Sequence, residues 1–237
     1  MPFTLYVALG DSMSSDHYPT CDVRNLDAPP GRLDPLGAAA LLHSNDDDRW
    51  PEFRGRDLAR LHPAIEFLNL AEDGAMIDDV ATEELSRLGH DSDDPGILLT
   101  LTAGGNDLYD ALAMVNGGLE HEMRRIERRY TDLVAIVLEE LSAATLVLTT
   151  VGDPTDGTGR LHPTLSRIQL EYLDRLNQHV RDLARESDRI LLADVHRHFL
   201  GHGWTAPEPD RWYWRRNPIE PNARGASEIR RVWLETL

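Results

Sequence analysis

Five short apolar runs punctuate the chain: Phe3 to Leu9, Ile65 to Leu70, Ile97 to Thr102, Leu146 to Val151 and Ile190 to Ala193. Each is nearly continuous rather than alternating, the pattern of strands buried on both faces of a parallel sheet. Between them lie segments with helical spacing, chief among them Asp78 to Leu88, Leu119 to Leu141 and Leu165 to Ser187. In the last, Leu165, Ile168, Leu170, Leu173, Leu176, Val180 and Leu183 mostly keep three- and four-residue intervals, a stripe that faces a core. Strands alternating with helices predict an α/β fold with about five parallel strands covered on both sides.

The segment from Cys21 to Asp48 departs from this rhythm and is richer in Pro, Gly and Asp. It reads as a loop-rich insertion over 21–48 with one short helix at Leu36 to His43, followed by a helix opening near Trp50-Pro51 and running to Leu61. No repeat or long linker divides the chain, so one domain over 1–237 is expected. The run Asp46-Asp47-Asp48 has the oxygen chemistry of a divalent-cation ligand set, but neighbouring carboxylates on one segment seldom converge on one ion, and a solvated loop is the reading taken.

Composition narrows the chemistry. The 237 residues carry a net charge of −17, which repels phosphate backbones and argues against a nucleic-acid partner. No apolar run reaches the length of a membrane span, and no signal peptide is evident before Phe3, so a cytoplasmic location is expected. Cys21 is the only cysteine, which excludes an intrachain disulfide. All 24 basic residues are arginine, which removes lysine nucleophiles and the phosphate-loop lysine together.

The polar residues that close the apolar runs are the candidate chemistry. Gly10-Asp11-Ser12 follows the first run, Ala71-Glu72-Asp73-Gly74 the second, and Gly104-Gly105-Asn106-Asp107 the third. Taken singly, each is ordinary turn or cap chemistry. In a parallel sheet these turns share the carboxyl edge, where ligands bind. Ser12 is the candidate nucleophile, and its N–H, the Gly74 N–H and the Asn106 carboxamide are candidate oxyanion donors.

These blocks resemble those of the SGNH or GDSL hydrolase superfamily of esterases, lipases, thioesterases and carbohydrate acetylesterases. Gly10-Asp11-Ser12 matches the first block, Gly74 the second and Gly104 to Asp107 the third; Asn217 to Gly225 looks like the last. The resemblance implies a flavodoxin-like three-layer α/β/α sandwich and a serine hydrolase acting on a small ester or acylated substrate without a cofactor or metal. The family's last block usually carries Asp three positions before a catalytic His; here those positions hold Asn217 and Glu220.

Glu220 is therefore the candidate base. Burial among Trp204, Trp212, Tyr213 and Trp214 would raise its pKa toward a useful range, whereas Arg215, Arg216 and Arg224 would lower it. An amide at 217 suits a carboxylate base, which needs no anionic partner and accepts a hydrogen bond. His198 and His202 are the alternative bases, with His17 and His196 less favourably placed. Asp11 and Asp16 are expected to serve local structure. The competing reading is a binding or interaction protein that kept the pocket and lost its proton relay. A nucleotide binder is weaker still, because no Gly-x-Gly-x-x-Gly element follows a strand. Substrate identity and oligomeric state are not legible.

Overall fold

A computed structural model of the chain describes residues 3–27, 31–89, 94–113, 118–160 and 167–237, the side chains of 167–169 excepted. The five apolar runs form one parallel sheet: β1 (Leu5–Gly10), β2 (Glu66–Asn69), β3 (Ile97–Thr102), β4 (Thr145–Thr149) and β5 (Ile190–Ala193), in the order β2-β1-β3-β4-β5. β1 lies between β2 and β3, with Ala8 opposite both Asn69 and Thr100. The chain therefore reverses its direction of winding beside β1, and the exits of β1 and β3 adjoin.

Two-residue alternation divides the sheet between two cores. Leu5, Val7 and Leu9 face Ile77 and Val80, Leu108 of α5 (Gly105–Ala113), Met123 and Tyr130 of α6 (Leu119–Glu140), and Leu176 and Val180 of α7 (Arg167–Leu183). Tyr6 and Ala8 face α2 (Ala38–His43), α8 (Val195–Phe199) and α9 (Ala223–Thr236). The result is the expected α/β/α sandwich. Helix α1 (His17–Arg24) packs beside α9.

The differences from expectation are local. The helix anticipated from Trp50 to Leu61 is a 3₁₀ turn, Pro51–Phe53, and a separate α3, Leu58–Leu61. Gly55 at φ +77° breaks it, and the Asp57 side chain restarts it by accepting the Arg60 N–H. The helix anticipated over Asp78 to Leu88 is α4 (Ile77–Asp79), then a π turn at Val80–Glu84, then a 3₁₀ turn at Leu85–Arg87. Leu165 and the side chain of Ile168 lie outside the described residues, while Leu173, Leu176, Val180 and Leu183 are buried as the stripe requires.

The segment after α1 is tied back to it. Arg24 makes a two-pronged ion pair with Asp34, and Asp16 accepts the Gly37 N–H. Asp46 accepts two N–H groups of its own turn, and Asp47 pairs with Arg60. The last block forms an antiparallel ribbon absent from the sequence reading, β6 (Tyr213–Trp214) with β7 (Asn217–Pro221). Asn222 then caps α9 by accepting the Gly225 N–H at 2.7 Å. No helix among the described residues is long and apolar enough to cross a membrane.

Candidate active site

Gly10 fixes how the chain leaves β1. It adopts φ +119°, and a Cβ there would lie 1.7 Å from the Thr102 carbonyl oxygen, so only glycine lets β1 and β3 close this tightly at their exits. The Asp11 N–H donates to that carbonyl at 3.0 Å, and the Asp11 carboxylate accepts the Met13 N–H at 3.1 Å, folding the turn around Ser12. Ser14 Oγ contacts Thr102 Oγ1 at 2.9 Å. Behind the turn, Glu84 accepts the Gly10 N–H at 2.7 Å.

Ser12, Asn106 and Glu220 line one pocket, together with Asp11, Tyr109, Tyr213 and the Thr149 to Gly152 segment that leaves β4. Gly74 (φ +80°) lies in the turn after β2, which is tied to the Ser12 turn by the Glu72 N–H donating to the Gly10 carbonyl at 2.9 Å. Gly74 is not one of the residues lining the pocket. Among the described residues, the Ser12 and Gly74 N–H groups have no acceptor. The Asn106 carboxamide donates one hydrogen to the Ala75 carbonyl at 2.9 Å, which orients it and leaves its second hydrogen available.

Glu220 is buried in β7, 6% exposed. Burial pushes its carboxyl up to about 8; the Ser12 hydroxyl opposes this by stabilising the charged form, and Asp11 and Asp73 add to the rise. Glu220 Oε2 has no partner among the described residues. The arginines expected to hold this carboxyl down are engaged elsewhere. Arg216 pairs with Asp27, Arg224 donates to the Pro209 carbonyl, and Arg215 is exposed. Of the four aromatic residues expected around Glu220, Tyr213 alone lines its pocket. Trp212 stacks on His202, Trp214 meets Tyr18, and Trp204 lies under Arg211. The Asn217 amide makes no hydrogen bond to Glu220.

The histidines have other partners. His198 contacts Glu228 at 2.9 Å, His202 contacts the Asp210 carbonyl at 2.7 Å, and His196 faces Asp174 at 3.9 Å. Neither they nor His17 lines the Ser12 pocket. Asp11 does line it: burial raises its carboxyl to about 7 against the Met13 N–H and the Thr102 hydroxyl, with Asp107 adding to the rise. Asp107 accepts the Ile77 N–H at 3.0 Å and so joins the third block to α4.

Glu84 and Asn177 escaped the sequence reading. Glu84 follows Ile77 and Val80 at three- and four-residue steps, and Asn177 follows Leu173 by four, so each is a polar residue on an otherwise apolar stripe. That interruption was the available signal. The side chain of Asn177 brackets Val151, accepting its N–H at 2.7 Å and donating to its carbonyl at 2.8 Å.

The parallel sheet, with its serine turn beside an asparagine turn and the last block closing the same pocket, has the arrangement of the SGNH hydrolases. The chain belongs to the GDSL-like lipase/acylhydrolase family, whose pattern matches residues 8–227. Its fold is similar to that of an extracellular lipase from Streptomyces rimosus, 18% identical with a TM-score of 0.65, covering 99% of this chain and 100% of that one. A phospholipase A1 from Streptomyces albidoflavus is 20% identical with a TM-score of 0.63, over 99% and 100% of the two chains. An acetyl xylan esterase from Geobacillus stearothermophilus is 16% identical with a TM-score of 0.65, over 100% and 96%. No curated protein sequence matches significantly.

Proposed function

We propose that this protein hydrolyses carboxylic esters through an acyl-enzyme on Ser12, with Glu220 as general base in place of histidine. The observation that carries the reading is the buried Glu220 carboxyl in the Ser12 pocket, with one oxygen unpartnered among the described residues and its pKa pushed up to about 8. A carboxylate of ordinary pKa is a weak acceptor for a serine proton; one raised close to the working pH is far better matched.

Ser12 Oγ attacks the ester carbonyl carbon as its proton passes to Glu220. The Ser12 N–H, the Gly74 N–H and the Asn106 carboxamide receive the developing oxyanion. Collapse expels the alcohol, which takes the proton back from Glu220 and leaves Ser12 acylated. Water then attacks the acyl carbon, giving its proton to Glu220. The second collapse returns that proton to Ser12 Oγ and releases the carboxylic acid.

The test is fluorophosphonate labelling and ester turnover in wild type, Ser12→Ala and Glu220→Gln. Labelling is expected at Ser12 and nowhere in Ser12→Ala, with turnover lowered about 10²- to 10⁴-fold in Glu220→Gln. Ester turnover that survives Ser12→Ala, or a folded wild type that neither labels nor turns over, overturns the reading.

A further inference from the structure

Two side-chain polar atoms in the lining of the Ser12 pocket are buried without a hydrogen-bond partner among the described residues, Glu220 Oε2 and Tyr213 Oη. Glu220 has a task in the proposed reaction. Tyr213 has none, although it is only 1% exposed. A buried hydroxyl left unpaired lowers stability, and phenylalanine would fill the same ring position without that loss.

The fold makes room for this one oxygen. Gly152, just past β4, has no left-handed φ, so its backbone does not call for glycine. A Cβ there would lie 2.5 Å from Tyr213 Oη, whereas the ring carbon that bears the hydroxyl would be 3.6 Å away, an ordinary contact. The hydroxyl, not the ring, is what excludes a side chain at 152. The ring itself is held edge-on against Phe199 at 5.6 Å and by the pairing of Tyr213 with Pro221 in the β6–β7 ribbon.

Burial, with Tyr109, Asp153 and Asp156 adding to the rise, holds the phenol well above its ordinary range, so it keeps its proton and offers a hydrogen. What it lacks is an acceptor. In the proposed reaction both oxygens of the ester are already provided for. The carbonyl oxygen meets the oxyanion donors, and the alcohol oxygen takes its proton from Glu220. Tyr213 Oη stands beside the exit of β4, one strand beyond the Asn106 turn that follows β3, an offset of about 5 Å.

We infer that Tyr213 is a specificity residue whose hydroxyl donates to a third oxygen of the substrate, so that the site favours esters with a further acceptor oxygen beside the scissile bond over hydrocarbon esters of the same shape. The inference rests on Ser12 being the nucleophile. The oxygen can belong to the acid or to the alcohol, since either satisfies the hydroxyl. A methylene in its place leaves the O–H dry and unpaired, the circumstance in which a polar site discriminates well.

The experiment measures kcat/KM for two ester pairs that exchange one oxygen for one methylene, with Ser12→Ala subtracted as background. On the acid side the pair is p-nitrophenyl methoxyacetate and p-nitrophenyl butanoate; on the alcohol side it is 2-methoxyethyl acetate and butyl acetate, followed by acid release. Comparing each oxygen-to-methylene ratio between wild type and Tyr213→Phe cancels the intrinsic reactivity of the esters. In one pair the ratio is expected to fall at least about tenfold on Tyr213→Phe, and the pair that responds tells which side carries the oxygen. Tyr213→Phe is also expected to resist urea at least as well as wild type, because the hydroxyl it loses has no partner. Ratios unchanged in both pairs, or a loss shared equally by both members, overturn the inference and leave the hydrolase reading intact. A Tyr213→Phe protein clearly less stable than wild type overturns it too, by giving the hydroxyl a structural role. A folded wild type with no Ser12-dependent turnover of any of the four esters overturns both readings.

Discussion

Replacing Glu84 by Gln should make the protein less sensitive to alkali. Glu84 is 1% exposed and accepts the Gly10 N–H with one oxygen, while its other oxygen has no partner among the described residues. Burial raises its carboxyl to about 8 from an ordinary 4.5, outweighing the Gly10 N–H and Arg87, with Glu72 and Asp11 adding to the rise. The folded chain therefore holds a proton that the unfolded chain has released across that range, and stability falls as pH rises through it. At about 1.4 kcal/mol for each tenfold change in proton affinity, the gap corresponds to roughly 5 kcal/mol between pH 4 and pH 9. Glutamine keeps an oxygen for the Gly10 N–H and cannot ionise. Its NH₂ meets the unpartnered position, at a loss of about 1 to 3 kcal/mol. Urea denaturation at pH 5, 7 and 9 should show Glu84→Gln less stable than wild type at pH 5 and more stable at pH 9. Parallel stability curves over that range would refute the argument, because they would mean that Glu84 titrates alike folded and unfolded.

Four further outcomes are expected. Wild-type kcat/KM for an acetate ester should climb with pH until it levels off above about 8, because Glu220 acts as a base only when deprotonated. The double substitution Asn217→Asp with Glu220→His should restore the usual pair and move that limb toward the ordinary imidazole range near ~6.5, read from the same pH profile. Gly10→Ala should destabilise by at least about 4 kcal/mol in urea, since the added carbon meets the Thr102 carbonyl and the backbone is left-handed. Asn177→Leu strips both partners from Val151 and should lower stability by about 2 kcal/mol or more, measured by urea denaturation.

Strand positions were legible because a strand buried on both faces leaves a continuous apolar run; Ile97 to Thr102 and Ile190 to Ala193 match residue for residue. The Ser12 turn was legible because left-handed glycine and polar strand exits leave a compositional mark. What escaped depends on distance in sequence. The sign of the Glu220 shift turned on where Arg215, Arg216 and Arg224 point, which no local pattern encodes. The ribbon β6–β7 is too short for periodicity to register. Trp50 to Leu61 has helical spacing, but Gly55 in a left-handed conformation breaks the helix. The pocket wall from Thr149 to Gly152 was visible only as a strand end, because its role comes from the approach of Tyr213 and Asn177.

Cys21 is fully buried in α1, the helix that begins five residues after Ser12, and it is the only thiol in the chain. A thiol reagent reaches it only when that helix lifts from its neighbours. The rate of modification under native conditions therefore times the lifting of α1 from α9, with no engineered label and no competing thiol.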